Sequence, residues 1–148
     1  MPKLTLSFDN GPVPGATERI LEILAERGLK ASFFLIGERL RDPACRRLAE
    51  RAKDEGHWIG NHTMTHTAPL TQLSDPNHAE TEIGRCQEML GALSHPMRFF
   101  RPSGGGTLGP HLLTRSAVGR CRIYRDIHRC HAVDSSTGND GVSRFPAQ

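Results

Sequence analysis

Two histidines four residues apart give the clearest chemical signal, in the segment His62-Thr63-Met64-Thr65-His66. Imidazoles at this spacing can meet on one side of a helical turn and share a metal ion. No glutamate follows the first histidine, so the segment lacks the built-in base of the HExxH metalloprotease pattern. Two surface histidines near a loop are the alternative interpretation of the same residues.

A second segment places polar groups where a short strand is expected to end. Asp9 and Asn10 follow the apolar run Leu4–Phe8 and precede Gly11-Pro12. A carboxylate or an amide at a strand end is well placed to act as a base or as a metal ligand. Asp-Asn-Gly-Pro is also ordinary turn chemistry, so a plain turn stays open as the alternative.

A third segment, Arg101 followed by Pro102 to Gly105, also comes directly after an apolar run. The guanidinium could hold a carboxylate in a charge-assisted pair, and the glycines allow backbone amides to approach a ligand. No Gly-Lys-Ser/Thr follows, so a phosphate-binding P-loop is poorly supported. A simple flexible loop is an equally good interpretation.

Alternating strands and helices are predicted from the hydrophobic pattern. The predicted strands are Leu4–Phe8, Ala31–Ile36, His57–Gly60 and Arg98–Arg101. The first predicted helix carries Ile20, Leu21, Ile23 and Leu24 and is ended by Gly28, and the second covers about Pro43–Glu55 and is ended by Gly56. The third starts at Ser74 or Asp75 and carries Ile83, Cys86, Leu90 and Leu93, and a short fourth covers Pro110–Ala117. This order implies an α/β fold with parallel strands and right-handed crossovers.

Functional sites in such folds gather where strands end and loops begin. All three polar segments follow predicted strands, so the pattern predicts a single site at one edge of the sheet. Cys45 and Cys86 lie in helical apolar patterns and are predicted to be small buried side chains. Trp58, beside the histidine pair, is predicted to be a buried core aromatic.

The composition bounds the class of protein. The chain has 148 residues, 36% of them hydrophobic and 24% charged, which indicates one globular domain. A formal net charge of +3 is too small to favour a nucleic-acid partner. No apolar run suggests a membrane helix or a signal peptide, so we expect no membrane partner and a cytoplasmic location. The oligomeric state is not predicted.

Taken together and in this order, the three segments resemble the polysaccharide deacetylase family, also called NodB-like or carbohydrate esterase family 4. The family's first motif, Thr-Phe-Asp-Asp-Gly-Pro, is matched by Ser7–Pro12 except at Ser7 and Asn10. Its second motif, His-Ser/Thr-x-x-His, is matched by His62–His66, and Gly56–Asn61 resembles the approach to that motif.

The third family motif, an Arg-Pro-rich loop, is matched at Arg101-Pro102. Ser103 and Gly104 stand where the family usually has a proline and an aromatic residue. The similarity covers about residues 3 to 118. It implies a partial NodB-type fold, a distorted and incomplete (β/α) barrel with parallel strands and flanking helices.

The resemblance also implies how the chain is divided. Residues 1–118 would form the N-terminal part of the deacetylase domain, and residues 119–148 would form a divergent tail. Family domains have on the order of 200 residues and seven or eight strands, and this chain supplies about four matching strands. We therefore expect a chain truncated at its C-terminal end, with a truncated or frame-shifted sequence beyond about Gly119. The low apolar content of Ser135–Gln148 indicates disorder.

Catalytic and substrate-binding roles follow from the resemblance, residue by residue. Asp9 takes the position of the general base, and Arg101 takes that of the residue that orients it. Pro102, Ser103 and Gly104 take the position of the loop that holds the substrate and the oxyanion. The implied reaction is hydrolysis of N-acetyl or O-acetyl groups on an acetylated glycan.

A divalent metal is implied as the cofactor, with zinc as the default ion. The implied ligands are His62, His66 and Asn10, the last in place of the family's second aspartate. A neutral amide is a weaker ligand than a carboxylate, so we expect reduced metal affinity. The family's later motifs are absent, including the histidine that protonates the leaving amine. His111, His128 and His131 could replace it by residue type alone.

Three alternatives remain at this point. The first is a catalytically inactive, truncated deacetylase that binds only metal or sugar. The second is another metal-dependent hydrolase of carbon–nitrogen bonds, such as a purine-ring amidase. The third is a nucleic-acid or partner-binding protein that uses the arginine-rich stretch Arg115–Arg129.

Overall fold

The computed structural model describes residues 4–67, 77, 78, 80–103, 122 and 123. In this part of the chain, five parallel strands form one sheet in which spatial order follows chain order. The strands are β1 (Leu6–Gly11), β2 (Ala31–Leu35), β3 (Trp58–Asn61), β4 (Phe99–Phe100) and β5 (Arg122–Ile123). The predicted α/β class with parallel strands is confirmed.

Helices connect the first four strands. They are α1 (Ala16–Glu26), α2 (Pro43–Asp54) and α3 (Arg85–Leu90), with a π-helical turn (Glu80–Gly84) before α3 and 3₁₀ turns at Gly37–Arg41 and Gly91–Leu93. The Asp42 side chain caps α2 by accepting a hydrogen bond from the backbone N–H of Ala44. Gly28 and Gly56 follow α1 and α2 at positive φ, as predicted for helix stops. No described helix combines the length and apolar character needed to cross a membrane.

The sheet has two chemically different faces. On one face Phe33, Leu35 and Ile59 pack against buried side chains of the three helices, including Leu21 and Leu24. On the other face Phe34, Trp58 and Phe99 form a separate aromatic cluster. All five residues of β2 are buried, as the continuous apolar run predicts. Buried Cys45, Cys86 and Trp58 confirm the core predictions.

The register aligns the strand ends at one edge of the sheet. Gly11, Leu35, Asn61, Phe100 and Ile123 are paired in a single row across all five strands. The residues that follow β3 and β4 therefore leave the sheet side by side. This edge carries the three segments that the sequence singled out.

Two strands differ most from the sequence-based expectation, and the bounds of the others shift by one residue at one or both ends. We predicted β1 over Leu4–Phe8, but it begins at Leu6 and runs to Gly11, because Asp9 pairs with Phe34 and Gly11 with Leu35, with an irregularity at Asn10 between them. The short strand β5 was not predicted, since two residues are too few to show a hydrophobic period. The predicted helix start at residues 74–75, the helix over 110–117 and the expected disorder of 135–148 lie outside the described residues.

Candidate active site

Asp9 and Arg101 form an ion pair on the aromatic face of the sheet. Arg101 Nη1 donates to Asp9 Oδ1 at 2.6 Å. The Arg101 side chain is 5% exposed, whereas that of Asp9 is 31% exposed. One carboxylate is thus fixed by a buried cation and still accessible from solvent, which suits a general base.

Two other side chains contact the guanidinium of Arg101. Both of its terminal nitrogens lie 3.1 Å from Ser7 Oγ, which accepts from them. The guanidinium carbon lies 4.1 Å from the centroid of the Phe34 ring, a cation–π contact. Gly60 makes room for this ring, because a Cβ there would lie 2.6 Å from Phe34 Cε1. The position of the carboxylate therefore depends on contacts in β1, β2 and β3.

His62 follows β3 directly and is 3% exposed. Its Nδ1 lies 2.9 Å from the backbone oxygen of Arg101. Because a carbonyl only accepts, Nδ1 carries the proton and Nε2 keeps its lone pair. Burial lowers the pKa of His62 below its ordinary value, although the hydrogen bond to Arg101 and the charge of Asp9 oppose that shift. The imidazole is therefore neutral near pH 7, which is its metal-binding form.

His66 lies beside His62, with 5.0 Å between the ring centroids. The pair is joined by a loop and not by a helical turn: residues 62–67 are irregular, and Thr63 and His66 have φ of 72° and 56°. The loop brings the rings together by a different path. Two nitrogens that share one zinc ion lie within about 4 Å of each other, and the observed ring spacing is compatible with this.

Asn10 occupies the irregular position at the end of β1, with φ of 65°. Asparagine tolerates this left-handed conformation better than most residues. Within the described ranges, no three His, Cys, Asp or Glu side chains lie close enough together to hold a metal ion. The family motif has a metal ligand at the position of Asn10, and the amide oxygen of Asn10 stays a predicted ligand.

The loop after Arg101 is only partly described. Pro102 is half-buried and Ser103 is 1% exposed. Gly104 lies outside the described residues, so the predicted contact of this loop with substrate stays a prediction.

Arg101 connects the two halves of the site. Its side chain holds Asp9 and its backbone oxygen orients His62. The structure thus brings together the predicted base, the predicted orienting residue and the predicted histidine ligands.

Sequence analysis missed several supporting residues. Ser7 was noticed only as a departure from the family motif, and Phe34 and Gly60 only as parts of strands. Asn61, which holds the histidine loop, was noticed only as the end of the segment before the histidine motif. Glu82, which also holds this loop, gave no signal, because its partner Thr65 lies 17 positions away along the chain.

Comparisons with known proteins point to one family. The family model described as polysaccharide deacetylase matches residues 1–119. A chitooligosaccharide deacetylase from Rhizobium leguminosarum bv. phaseoli is 39% identical over 149 residues, covering 95% of this chain and 60% of that protein.

Two solved structures share the fold. One is a peptidoglycan N-acetylglucosamine deacetylase in complex with a substituted N-oxidanyl-benzamide, with a TM-score of 0.68, 32% identity, and coverage of 80% of this chain and 54% of that chain. The other is a family 4 acetyl xylan esterase from Clostridium thermocellum in complex with a cobalt ion, with a TM-score of 0.65, 28% identity, and coverage of 74% and 52%.

This chain thus spans between about half and 60% of the length of these relatives. The parallel sheet, its flanking helices and the solved relatives confirm the predicted partial NodB-type fold. The protein belongs to the polysaccharide deacetylase family.

Proposed function

We propose that this chain carries the base and metal-binding part of a site that hydrolyses acetyl groups on an acetylated glycan. The observation that carries the proposal is the double role of Arg101. Its guanidinium fixes Asp9 at 2.6 Å, and its carbonyl fixes His62 at 2.9 Å. Because one residue holds both groups, the base and the metal ligand keep a constant position relative to each other, which a hydrolytic site requires.

His62, His66 and Asn10 are the residues proposed to hold a divalent cation, with zinc as the first choice. A bound divalent cation acidifies water and stabilises the negative charge that develops on an acyl oxygen. The neutral His62, with Nδ1 bound to a carbonyl and Nε2 available, supports this assignment. The cobalt ion in the Clostridium thermocellum relative also supports a divalent cation at this site.

Asp9 is proposed to take one proton from the attacking water. The water oxygen then forms a bond to the acyl carbon, and the bond from that carbon to the sugar nitrogen or oxygen breaks. The proton held by Asp9, or one from solvent, goes to that nitrogen or oxygen, so the products are acetate and a free sugar amine or hydroxyl. Arg101 keeps one oxygen of Asp9 occupied and leaves the carboxylate partly open to solvent. The loop of Pro102, Ser103 and Gly104 is proposed to contact the sugar.

The proposed substrate class is an acetylated glycan. The printed names of the relatives refer to chitooligosaccharide, peptidoglycan N-acetylglucosamine and acetyl xylan. An acetyl group on a sugar is common to these three. The relative with 39% identity favours N-acetylated oligosaccharides as the first substrates to test.

Acetate release tests the proposal. Chelator-treated protein would be incubated with N-acetylated chito-oligosaccharides, peptidoglycan or acetylated xylan, with and without zinc or cobalt. Release that depends on added metal and is abolished in Asp9→Asn supports the proposal. Metal-independent release, or full activity in the variant, would contradict it.

The second candidate function is binding of metal or sugar without catalysis. Asn10 favours it, because an uncharged amide stands where the family motif has a carboxylate. Tight binding of zinc or of an acetylated oligosaccharide, with no acetate released by folded protein, would support this function over hydrolysis.

A further inference from the structure

We propose that Glu82 is a positioning residue that holds the His62–His66 loop in its metal-binding conformation. This inference rests on the proposed function, because it concerns the same candidate metal site. Glu82 is 5% exposed and lies in the π-helical turn that precedes α3. A carboxylate is seldom so deeply buried unless specific partners compensate for the lost water.

The partners of Glu82 belong to the histidine loop. Oε2 accepts from the backbone N–H of Thr65 at 2.9 Å, and Oε1 accepts from the Thr65 hydroxyl at 2.9 Å. Both oxygens therefore bind one residue, which fixes its orientation as well as its position. Thr65 directly precedes His66, so this contact fixes the backbone position from which the His66 side chain extends.

The loop needs such support because two of its residues have unfavourable backbone conformations. Thr63 and His66 have φ of 72° and 56°, and Thr63 is β-branched. Residues in this region persist only where surrounding contacts over-determine them, and such residues concentrate at functional sites. A loop with two such residues will relax if one of its anchors is removed.

Other contacts hold the earlier part of the loop. The backbone N–H groups of Gly37 and Glu38 donate to the carbonyls of Thr63 and Met64 at 3.0 and 2.9 Å.

Asn61 adds a second link between the loop and the segment before α3. Its Oδ1 accepts from the Thr63 N–H, and its Nδ2 donates to the Ile83 carbonyl, both at 2.9 Å. These bonds reach Thr63, next to His62. Glu82 bonds to the loop near its other end, next to His66. We therefore expect loss of Glu82 to misplace His66 more than His62.

Cobalt(II) binding to the chelator-treated full chain tests the role of Glu82 without relying on activity. Glu82→Ala is expected to weaken cobalt binding about 10- to 100-fold, the range for outer residues that orient metal ligands, and to change the shape of the d–d absorption bands. Glu82→Gln keeps an acceptor for the Thr65 N–H and is expected to bind within about threefold of wild type. Glu80→Ala, on the same turn but exposed, is the matched control and should bind like wild type.

Thr65→Val keeps the inference testable if Glu82→Ala does not fold. Thr65 is only half-buried, and this change removes one of the two bonds to Glu82 without altering the size of the side chain. Weaker cobalt binding in a folded variant supports the inference, with folding checked by circular dichroism.

Two results would overturn the inference, and they can be told apart. If wild type binds cobalt and folded Glu82→Ala or Thr65→Val binds it equally well with the same spectrum, the role of Glu82 is wrong and the proposed function stands. If folded wild-type protein binds no cobalt or zinc at all, the proposed metal site is wrong and the inference fails with it.

Discussion

The two halves of the candidate site are built in different ways. Asp9 lies on a paired strand, and Arg101 directly follows another. His62 and His66 lie at the two ends of an irregular loop with two residues at positive φ. The base half is thus positioned by the sheet, and so is the backbone of His62, whose N–H donates to the Leu35 carbonyl at 3.0 Å. His66, at the other end of the loop, depends on tertiary contacts such as the one between Thr65 and Glu82.

Substitutions in the two halves should therefore have different effects. A change in the base half should alter the chemical step while the histidines keep their places. A change in the loop should alter metal affinity while Asp9 remains paired with Arg101. Arg101 is the exception, because its carbonyl also contacts His62.

Arg101→Lys should cause a larger loss than the changes at Asn10, Gly60 and His57 described below. A lysine keeps the charge but cannot place two nitrogens on Ser7 or stack a planar group on Phe34. We expect kcat to fall on the order of 10- to 100-fold, with a smaller change in zinc affinity because the backbone carbonyl remains. Steady-state acetate release and zinc titration would measure the two effects.

Equal losses of kcat and zinc affinity in Arg101→Lys would contradict the distinction between the base half and the histidine half. Such a result would mean that the two halves do not respond separately.

Asn10→Asp should strengthen metal binding. The substitution replaces an uncharged amide by a carboxylate at the irregular end of β1. Attraction between this charge and a divalent cation is expected to raise zinc affinity by about tenfold, equivalent to about 1.4 kcal/mol. Competition with a zinc chelator would measure it, and unchanged affinity would remove Asn10 from the proposed ligand set.

Gly60→Ala should destabilise the base half through packing. The added Cβ would lie 2.6 Å from Phe34 Cε1 and 3.1 Å from the backbone oxygen of Phe99, so the ring beneath Arg101 must move. We expect a loss of about 1 to 3 kcal/mol in the free energy of unfolding. Gly11→Ala is the matched strand control, because its nearest contacts are 3.5 and 3.7 Å. Equal unfolding free energies for the two variants by urea titration would refute the packing argument.

His57 lies at the opposite edge of the sheet and gives the smallest expected effect. Its Nδ1 accepts from the backbone N–H of Ala31 at 3.2 Å. Burial and nearby Lys30 lower the pKa of His57, against the opposing effect of Glu55. The folded state therefore binds fewer protons than the unfolded state below pH about 6.5, the ordinary histidine value, and stability falls as the pH drops further.

Comparison with His57→Asn isolates this contribution. Asparagine keeps an acceptor but does not titrate, so the variant should lose less stability than wild type between pH 7.5 and 5.5. Thermal unfolding at both values measures the difference. The same loss in both proteins would show that His57 does not contribute.

Much of the fold and of the site could be predicted from the sequence because the signals are local. The apolar run of β2 indicates a buried strand, and the glycines after α1 and α2 indicate where these helices end. Asp9, Arg101 and the histidine pair were found because they follow predicted strands and match family motifs in the family's order. Their clustering followed from the parallel order of the strands.

The supporting contacts could not be predicted, because they join residues far apart in sequence. Glu82 contacts Thr65 across 17 positions, and Ser7 contacts Arg101 across 94. The exact path of the loop between His62 and His66 could not be predicted either, since a spacing of four residues does not distinguish a helical turn from a loop that folds back. Only the three-dimensional arrangement shows which polar side chain satisfies which partner.

The most direct test of the separation between the two halves is acetate release measured against zinc concentration for wild type, Asp9→Asn and Glu82→Ala. We expect Asp9→Asn to lower the maximal rate by about 10²- to 10⁴-fold at an unchanged half-saturating zinc concentration. Glu82→Ala should raise that concentration and largely recover its rate at saturating zinc. The same change in both variants, or the two effects reversed, would show that the base and the histidine loop do not act separately.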